Sequence, residues 1–225
     1  MKSPILATSV TTTNPLTKPA LLAPSDTSFI ERMRRPLSVY FSVLMLTFIV
    51  ITKPRHYQDG FYQGMELVGY LLIFAAVMGR TWSILFIGGR KNRKLCQAGP
   101  YAHCRNPLYF FSFLGMIGIG FCAKSLPALL ITAPVFLIYY GILIRDEERK
   151  LEQLFGEDYR QYANQVPRFW PRRRGSRLPK EISVNPRAFT RSLADVSCFL
   201  LVIIALEVLE AIKMSGYFPI FELPW

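Results

Sequence analysis

The sequence predicts an all-α membrane protein of about five transmembrane helices, with a helical hairpin and a cytoplasmic amphipathic segment that continues it. Three observations lead there. Apolar stretches recur at residues 37–52, 62–87, 108–123, 126–144 and 193–212. The 225 residues are 51% hydrophobic and only 19% charged, with a mean hydropathy of +0.24 and a net charge of +12. The basic residues also alternate between the flanks of those stretches. Of 27 Lys and Arg, 22 fall on one side of the membrane in this threading, four on the other, and Arg80 lies inside a span. The positive-inside rule then puts the N-terminus and both basic loops in the cytoplasm and the C-terminus outside.

Each element has a local reason. Residues 1–28 are rich in Thr, Ser, Pro and Ala, lack an apolar run long enough for a secretory signal, and read as a disordered cytoplasmic tail. The stretch 37–52 is bounded by Arg34-Arg35-Pro36 and Lys53-Pro54-Arg55. It covers about 24 Å, so it crosses a hydrocarbon core of about 30 Å only if those flanks snorkel. The second stretch is long and carries Glu66 and Arg80. Asn106-Pro107 opens the third with an N-cap and a Pro at the first helical position. The third and fourth meet in a tight turn at Lys124-Ser125, with Pro127 in the first turn beyond it. Leu151, Leu154 and Phe155 extend the fourth as an amphipathic helix ending at Gly156, before an aromatic stretch on the membrane surface. The last stretch is interrupted by Asp195, Glu207 and Glu210; the two glutamates lie near its outer end and are expected to be structural or interfacial.

Several chemistries are excluded. A pI near 9.8 invites nucleic acid, but the charge sits in juxtamembrane loops, where anionic lipid headgroups account for it, and no recognition module is visible. Cys96, Cys104, Cys122 and Cys198 form no C-x-x-C pair, and the threading puts His56 and His103 on opposite sides of the membrane, so neither a zinc site nor a disulfide framework is expected. Gly115, Gly118 and Gly120 lie within an apolar helix and not after a strand, which excludes a dinucleotide fingerprint and suits close helix packing.

Distinctive polar residues concentrate in two segments. The first runs from Lys94 through Gly99-Pro100-Tyr101 to Arg105-Asn106-Pro107-Leu108-Tyr109 at the mouth of a span. The second contains Glu147-Glu148, Leu151, Phe155-Gly156, Tyr159, Tyr162 and Val166-Pro167-Arg168. Taken separately, the first reads as a capped helix entry and the second as a solvated charged face. Together they resemble the isoprenylcysteine carboxyl methyltransferase and phospholipid methyltransferase superfamily, integral membrane enzymes that use S-adenosylmethionine. The resemblance covers about residues 69–171. It implies that Arg93, Lys94, Leu95, Cys96, Tyr101, Asn106, Pro107, Leu108 and Tyr109 line the cofactor site. Glu147 would bind the cofactor with Glu148 beside it, and Gly118 and Gly120 would match the G-x-G of phospholipid methyltransferases. The family usually carries His at the position of Asn106, and Arg at the position of Leu143.

The residue chemistry agrees with that reading. Carboxylates suit the ammonium or ribose hydroxyls of S-adenosylmethionine, Arg105 suits its carboxylate, and aromatic rings suit adenine or the sulfonium. Arg105 and Glu148 are the candidate catalytic pair. The expected function is methyl transfer to a lipid or lipid-linked acceptor (a carboxylate, an amine or a hydroxyl). The alternatives are a membrane reductase of the sterol-reductase type and a non-catalytic membrane scaffold. The expected organisation is a tail over 1–28, an N-terminal membrane region over 29–68, a methyltransferase-like core over 69–171, and a basic linker with a C-terminal helix over 172–225. Glu147 and Arg105 should meet, because each adjoins the same end of the helical hairpin.

Overall fold

Helices dominate a computed structural model of the chain, which describes residues 47–50, 52–54, 60–88, 94–172, 175, 186–215 and 221–223. The tail over 1–28, most of the stretch 37–52, His56 and Arg93 lie outside the described residues. Residues 47–50 are helical, and the helices whose bounds are described follow: α1 (Gly60–Ile87), α2 (Pro107–Cys122), α3 (Leu126–Phe155), α4 (Glu157–Gln165) and α5 (Pro186–Met214), with a 3-10 turn over Gly99–Ala102 ahead of α2. The all-α fold class holds, with one short strand pair outside the helices. Strands β1 (Thr52–Pro54) and β2 (Phe221–Leu223) pair in parallel, Lys53 opposite Glu222. A three-residue ladder leaves no periodicity that a sequence reading can find.

Helices α1 and α3, of 28 and 30 residues, are long and apolar enough to cross a membrane, and α2 is a shorter apolar helix of 16 residues. On α1 the side chains of Phe61, Leu67, Leu71 and Phe74 are each more than 60% exposed, as a lipid-facing surface requires. Helix α3 runs unbroken from the hairpin turn to Phe155, so the fourth stretch and its amphipathic continuation are one helix. It stops at Gly156, whose φ of 53° suits glycine and turns the chain directly into α4. The aromatic stretch expected beyond Gly156 is therefore helical, because Tyr159, Tyr162 and Val166 fall on one face and pack with Leu95, Leu151 and Phe155.

Backbones meet where α1 and α2 cross. A Cβ added at Gly69 would lie 2.6 Å from the Cys122 Sγ and 2.8 Å from the Gly118 carbonyl; one at Gly118 would lie 2.8 Å from the Gly69 carbonyl. Ile73, Val77 and Cys122 form the core there, covered by Phe199, Ile203 and Leu206 of α5. Small residues at such crossings allow dispersion contacts between helices where lipid gives no hydrophobic drive.

Candidate active site

Loop 98–106 enters α2 through two structural anchors. Gly99 adopts φ 61° under the Phe86 ring, and the 3-10 turn that follows buries Tyr101. The loop is then tied to the segment after α4: the Arg105 amide donates to the Pro167 carbonyl (2.9 Å) and the Arg172 amide to that of His103 (2.9 Å). The Tyr162 hydroxyl donates to the Tyr101 carbonyl at 2.7 Å, and the Cys104 thiol to the Phe169 carbonyl at 3.0 Å. Burial pushes the Cys104 thiol up to about 11, so it stays protonated.

These ties hold the loop against the end of α3. Asn106 stands at the N-cap position of α2 but makes no capping bond. Its side-chain amide instead donates to Glu148 Oε1 (3.3 Å) and the Arg168 carbonyl (3.0 Å). Glu148 is 7% exposed and takes the Arg105 guanidinium at 3.3 Å on one oxygen and the Arg168 Nε and Nη2, both at 2.9 Å, on the other. Burying a carboxylate is costly unless it is paired, and two guanidiniums with an amide supply that pairing. Arg105, Asn106 and Glu148, chosen from two segments about 40 residues apart, thus share one cluster.

The other sequence candidates distribute around it. Glu147 is half-buried and its charge acts on Tyr101, whose hydroxyl is buried with no hydrogen-bond partner among the described residues. Burial raises the Tyr101 phenol well above its ordinary range, with Cys96, Tyr162 and the Glu147 charge adding to it. Pro107 is fully buried, the Leu108 carbonyl lies 3.5 Å from Arg80 Nη1, and Tyr109 packs on Tyr140 with ring centres 5.1 Å apart. Lys94 and Leu95 line a cavity of about 390 Å³ with Gln97, Asp158 and Tyr162, while the Cys96 thiol turns to the Phe86 carbonyl. Gly118 and Gly120 are not beside the cluster. They lie about 18–21 Å further along α2, Gly118 against Gly69 and Ile73, Gly120 against Leu129. Their position is that of packing glycines, as the apolar helix around them requires.

A larger cavity, about 490 Å³, opens beside Glu148. Sequence reasoning gave no role to Arg145, Arg149, Tyr159, Arg160 or Arg168 on its wall. Spacing could have flagged Arg145, Arg149 and Glu152, which recur every three or four residues along α3. Tyr159 and Arg168 reach the wall only by tertiary packing.

Comparison with known proteins places this geometry. The profile of the phospholipid methyltransferase family matches residues 63–158. The nickel-cobalt-cadmium resistance protein NccN of Alcaligenes xylosoxydans xylosoxydans is 34% identical over 209 residues, covering 92% of this chain and 97% of that protein. The cobalt-zinc-cadmium resistance protein CzcN of Cupriavidus metallidurans is 36% identical over 149 residues, covering 66% of this chain and 68% of that protein. No solved structure gives a significant match. The matched residues include Arg105, Asn106 and Glu148, and the chain belongs to the phospholipid methyltransferase family.

Proposed function

We propose that this chain is an integral membrane methyltransferase that transfers a methyl group from S-adenosylmethionine to a lipid or lipid-linked acceptor at the cytoplasmic face. The observation that carries the reading is the convergence of Arg105 and Asn106 with Glu148 at one end of the α2–α3 hairpin, with the charge of Glu147 felt at the buried Tyr101. The donor set fits the cofactor. Tyr101 offers a buried hydroxyl without a partner among the described residues, Glu147 a carboxylate whose charge reaches it, and the cavity at Lys94 and Leu95 a lining of amides, Asp158 and aromatic rings suited to a nucleoside. Lys94, Leu95, Cys96, Tyr101 and Glu147 would hold it, with Arg93 and the helix entry from Asn106 to Tyr109 completing the site. When bound, it supplies an electrophilic methyl group on a sulfonium. The protein's part is then to position the acceptor in line with that methyl and to keep water away.

Calorimetry of the detergent-purified chain tests this. S-adenosylmethionine should bind, and Glu147→Gln should weaken it by about ten- to a hundredfold, the loss of one charge-assisted hydrogen bond. Binding of NADPH without S-adenosylmethionine would favour the reductase, and binding of neither the scaffold. The names of the two relatives support a further role, that methylation contributes to tolerance of divalent metals. Cells carrying Glu147→Gln should then grow more poorly than wild type on nickel, cobalt or cadmium, and equal growth would remove that role.

A further inference from the structure

Beyond α4 the chain makes a small loop whose two ends are fixed on one backbone segment. It leaves that segment at Pro167, whose carbonyl takes the Arg105 amide, and returns at Arg172, whose amide donates to the His103 carbonyl. Residues 168–171 are looped out between these two bonds. The Cys104 thiol and the Asn106 amide bond the Phe169 and Arg168 carbonyls, which fixes the face the loop presents. Its two aromatic side chains lie along the start of α2. The Phe169 ring centre is 5.9 Å from that of Phe110 and 5.8 Å from that of Phe113; Trp170 is 6.1 and 6.0 Å from the same two rings. Phe110 and Phe113 stand about 5–9 Å beyond the first residue of an apolar helix. Rings held at that depth meet the level where headgroups give way to acyl chains, which Trp favours. Packing does not use up the indole, because Trp170 stays 61% exposed.

Cations bracket these rings. Arg168 precedes them and Arg172 follows, both exposed, and no acidic residue occurs from Val166 to Lys180. Arg172 has no ion-pair partner among the described residues. Arg168 turns its Nε and Nη2 to Glu148, both at 2.9 Å, and a guanidinium has further N–H donors on its outer edge. A soluble anion would need the arginines alone, and a neutral bilayer the rings alone. Rings at acyl depth between two cations fit a molecule that carries both a phosphate and a hydrocarbon chain.

We propose that residues 168–172 form a binding surface for anionic phospholipid of the leaflet that α2 enters. Arg168 and Arg172 hold the headgroup phosphate, and the Trp170 indole lies against the upper part of the acyl chains. This surface does not rest on the methyltransferase reading. It reaches the buried cluster through Arg168, whose guanidinium is shared between Glu148 on its inner side and the lipid phosphate on its outer side. A lipid on the loop therefore holds the segment after α4 against the mouth of α2. An arginine near an anionic membrane surface contributes about a fivefold gain in affinity.

The test uses the full chain with Trp82→Phe and Trp225→Phe, so that Trp170 alone emits. It is placed in phosphatidylcholine bilayers that contain either brominated phosphatidylglycerol or brominated phosphatidylcholine at equal mole fraction. The brominated phosphatidylglycerol should quench Trp170 more strongly and saturably, and the excess should shrink in high salt. Arg172→Gln, which keeps the backbone bond to His103, should cut that preference about fivefold, and Arg168→Gln should also reduce it. Equal quenching by the two lipids, a preference that survives both substitutions, or a Trp170 that neither lipid quenches overturns the proposal. The unmodified chain gives a second reading. Hydrogen exchange at the Arg105 and Arg172 amides should slow severalfold when phosphatidylglycerol replaces part of the phosphatidylcholine; unchanged exchange overturns the proposal equally. No cofactor enters these measurements, so their failure leaves the methyltransferase reading standing, and a chain that binds no S-adenosylmethionine leaves this surface standing.

Discussion

A buried charge sits at each end of the α2–α3 hairpin, and the two are partnered in opposite ways. At the turn, Lys124 is 6% exposed with φ 52°, and its ammonium is shared by Glu66 of α1 (2.9 Å) and Glu210 of α5 (2.8 Å). The Tyr70 hydroxyl lies between Glu66 and Glu207, which extends the cluster along α5. At the far end, about 24 Å away along α2, Glu148 is the buried ion and the guanidiniums of Arg105 and Arg168 are its partners. The first cluster joins three elements through their charges. The second borders a 490 Å³ cavity whose wall carries five arginines against two glutamates. Opposite charges that converge from different helices serve assembly; charge left in surplus beside open space is available to a ligand.

Four measurements sharpen or break this contrast. Lys124→Met strips the cation from Glu66 and Glu210, both less than a third exposed, and should lower stability by about 3–5 kcal/mol, read as the unfolding midpoint in detergent. Methyl transfer per folded molecule should not change; a large loss of it would make the turn part of the site. Glu148→Gln should lower stability less, by about 2 kcal/mol, because Arg168 is 47% exposed and its pairing is screened. Transfer should nevertheless fall at least tenfold, since Arg105 and Asn106 lose the group that positions them. Equal transfer in this variant would return Glu148 to a structural role.

The third measurement is stability against pH. Cys104 and Tyr159 titrate from about 9 and 10 when unfolded to about 11 and 12 in the fold, both raised mainly by burial. Each keeps its proton more tightly when folded, so its contribution is complete below the unfolded value and is lost as pH rises through the folded one. The unfolding midpoint should therefore fall between about pH 9 and 12, and Cys104→Ala together with Tyr159→Phe should flatten that fall. A profile unchanged in the double variant would mean that neither group is as buried as the fold places it. The smallest effect belongs to Arg149→Gln. Its contact with Asp146 is 3.7 Å long and the arginine is 77% exposed, so stability should move by less than about 0.5 kcal/mol. A larger drop would show that the cavity rim, and not only its buried carboxylate, supports the fold.

Much of the frame was legible in the chain. Apolar periodicity marked α1, α2 and α3 to within two residues at their starts, because a helix must present a nearly continuous apolar surface to lipid. Pro107 and Pro127 marked helix entries, since a proline lacks the amide that a first helical turn leaves unpaired anyway. Gly156 marked the end of α3. The hairpin then required Arg105 to approach the Glu147-Glu148 pair, which follows from two helices joined by a three-residue turn. Those inferences are local, and local backbone chemistry suffices for them.

Other assignments needed three dimensions. Asn106 looked like an N-cap, but its amide is used by Glu148 and Arg168, which α3 and the segment after α4 bring to it. Glu147 and Glu148 are indistinguishable as neighbours in a charged run; the helical step of about 100° leaves the first half-buried near Tyr101 and buries the second between two arginines. Gly118 matched a binding motif by spacing, yet the crossing of α1 and α2 uses it to admit the Gly69 backbone. Lys124 read as a turn residue, and only the packing of α1 and α5 supplies its two carboxylates. Helix positions depend on short-range backbone preferences and on an apolar surface, both of which are written along the chain. The partner of a buried charge depends on which helix faces it, and that is settled only when the helices pack.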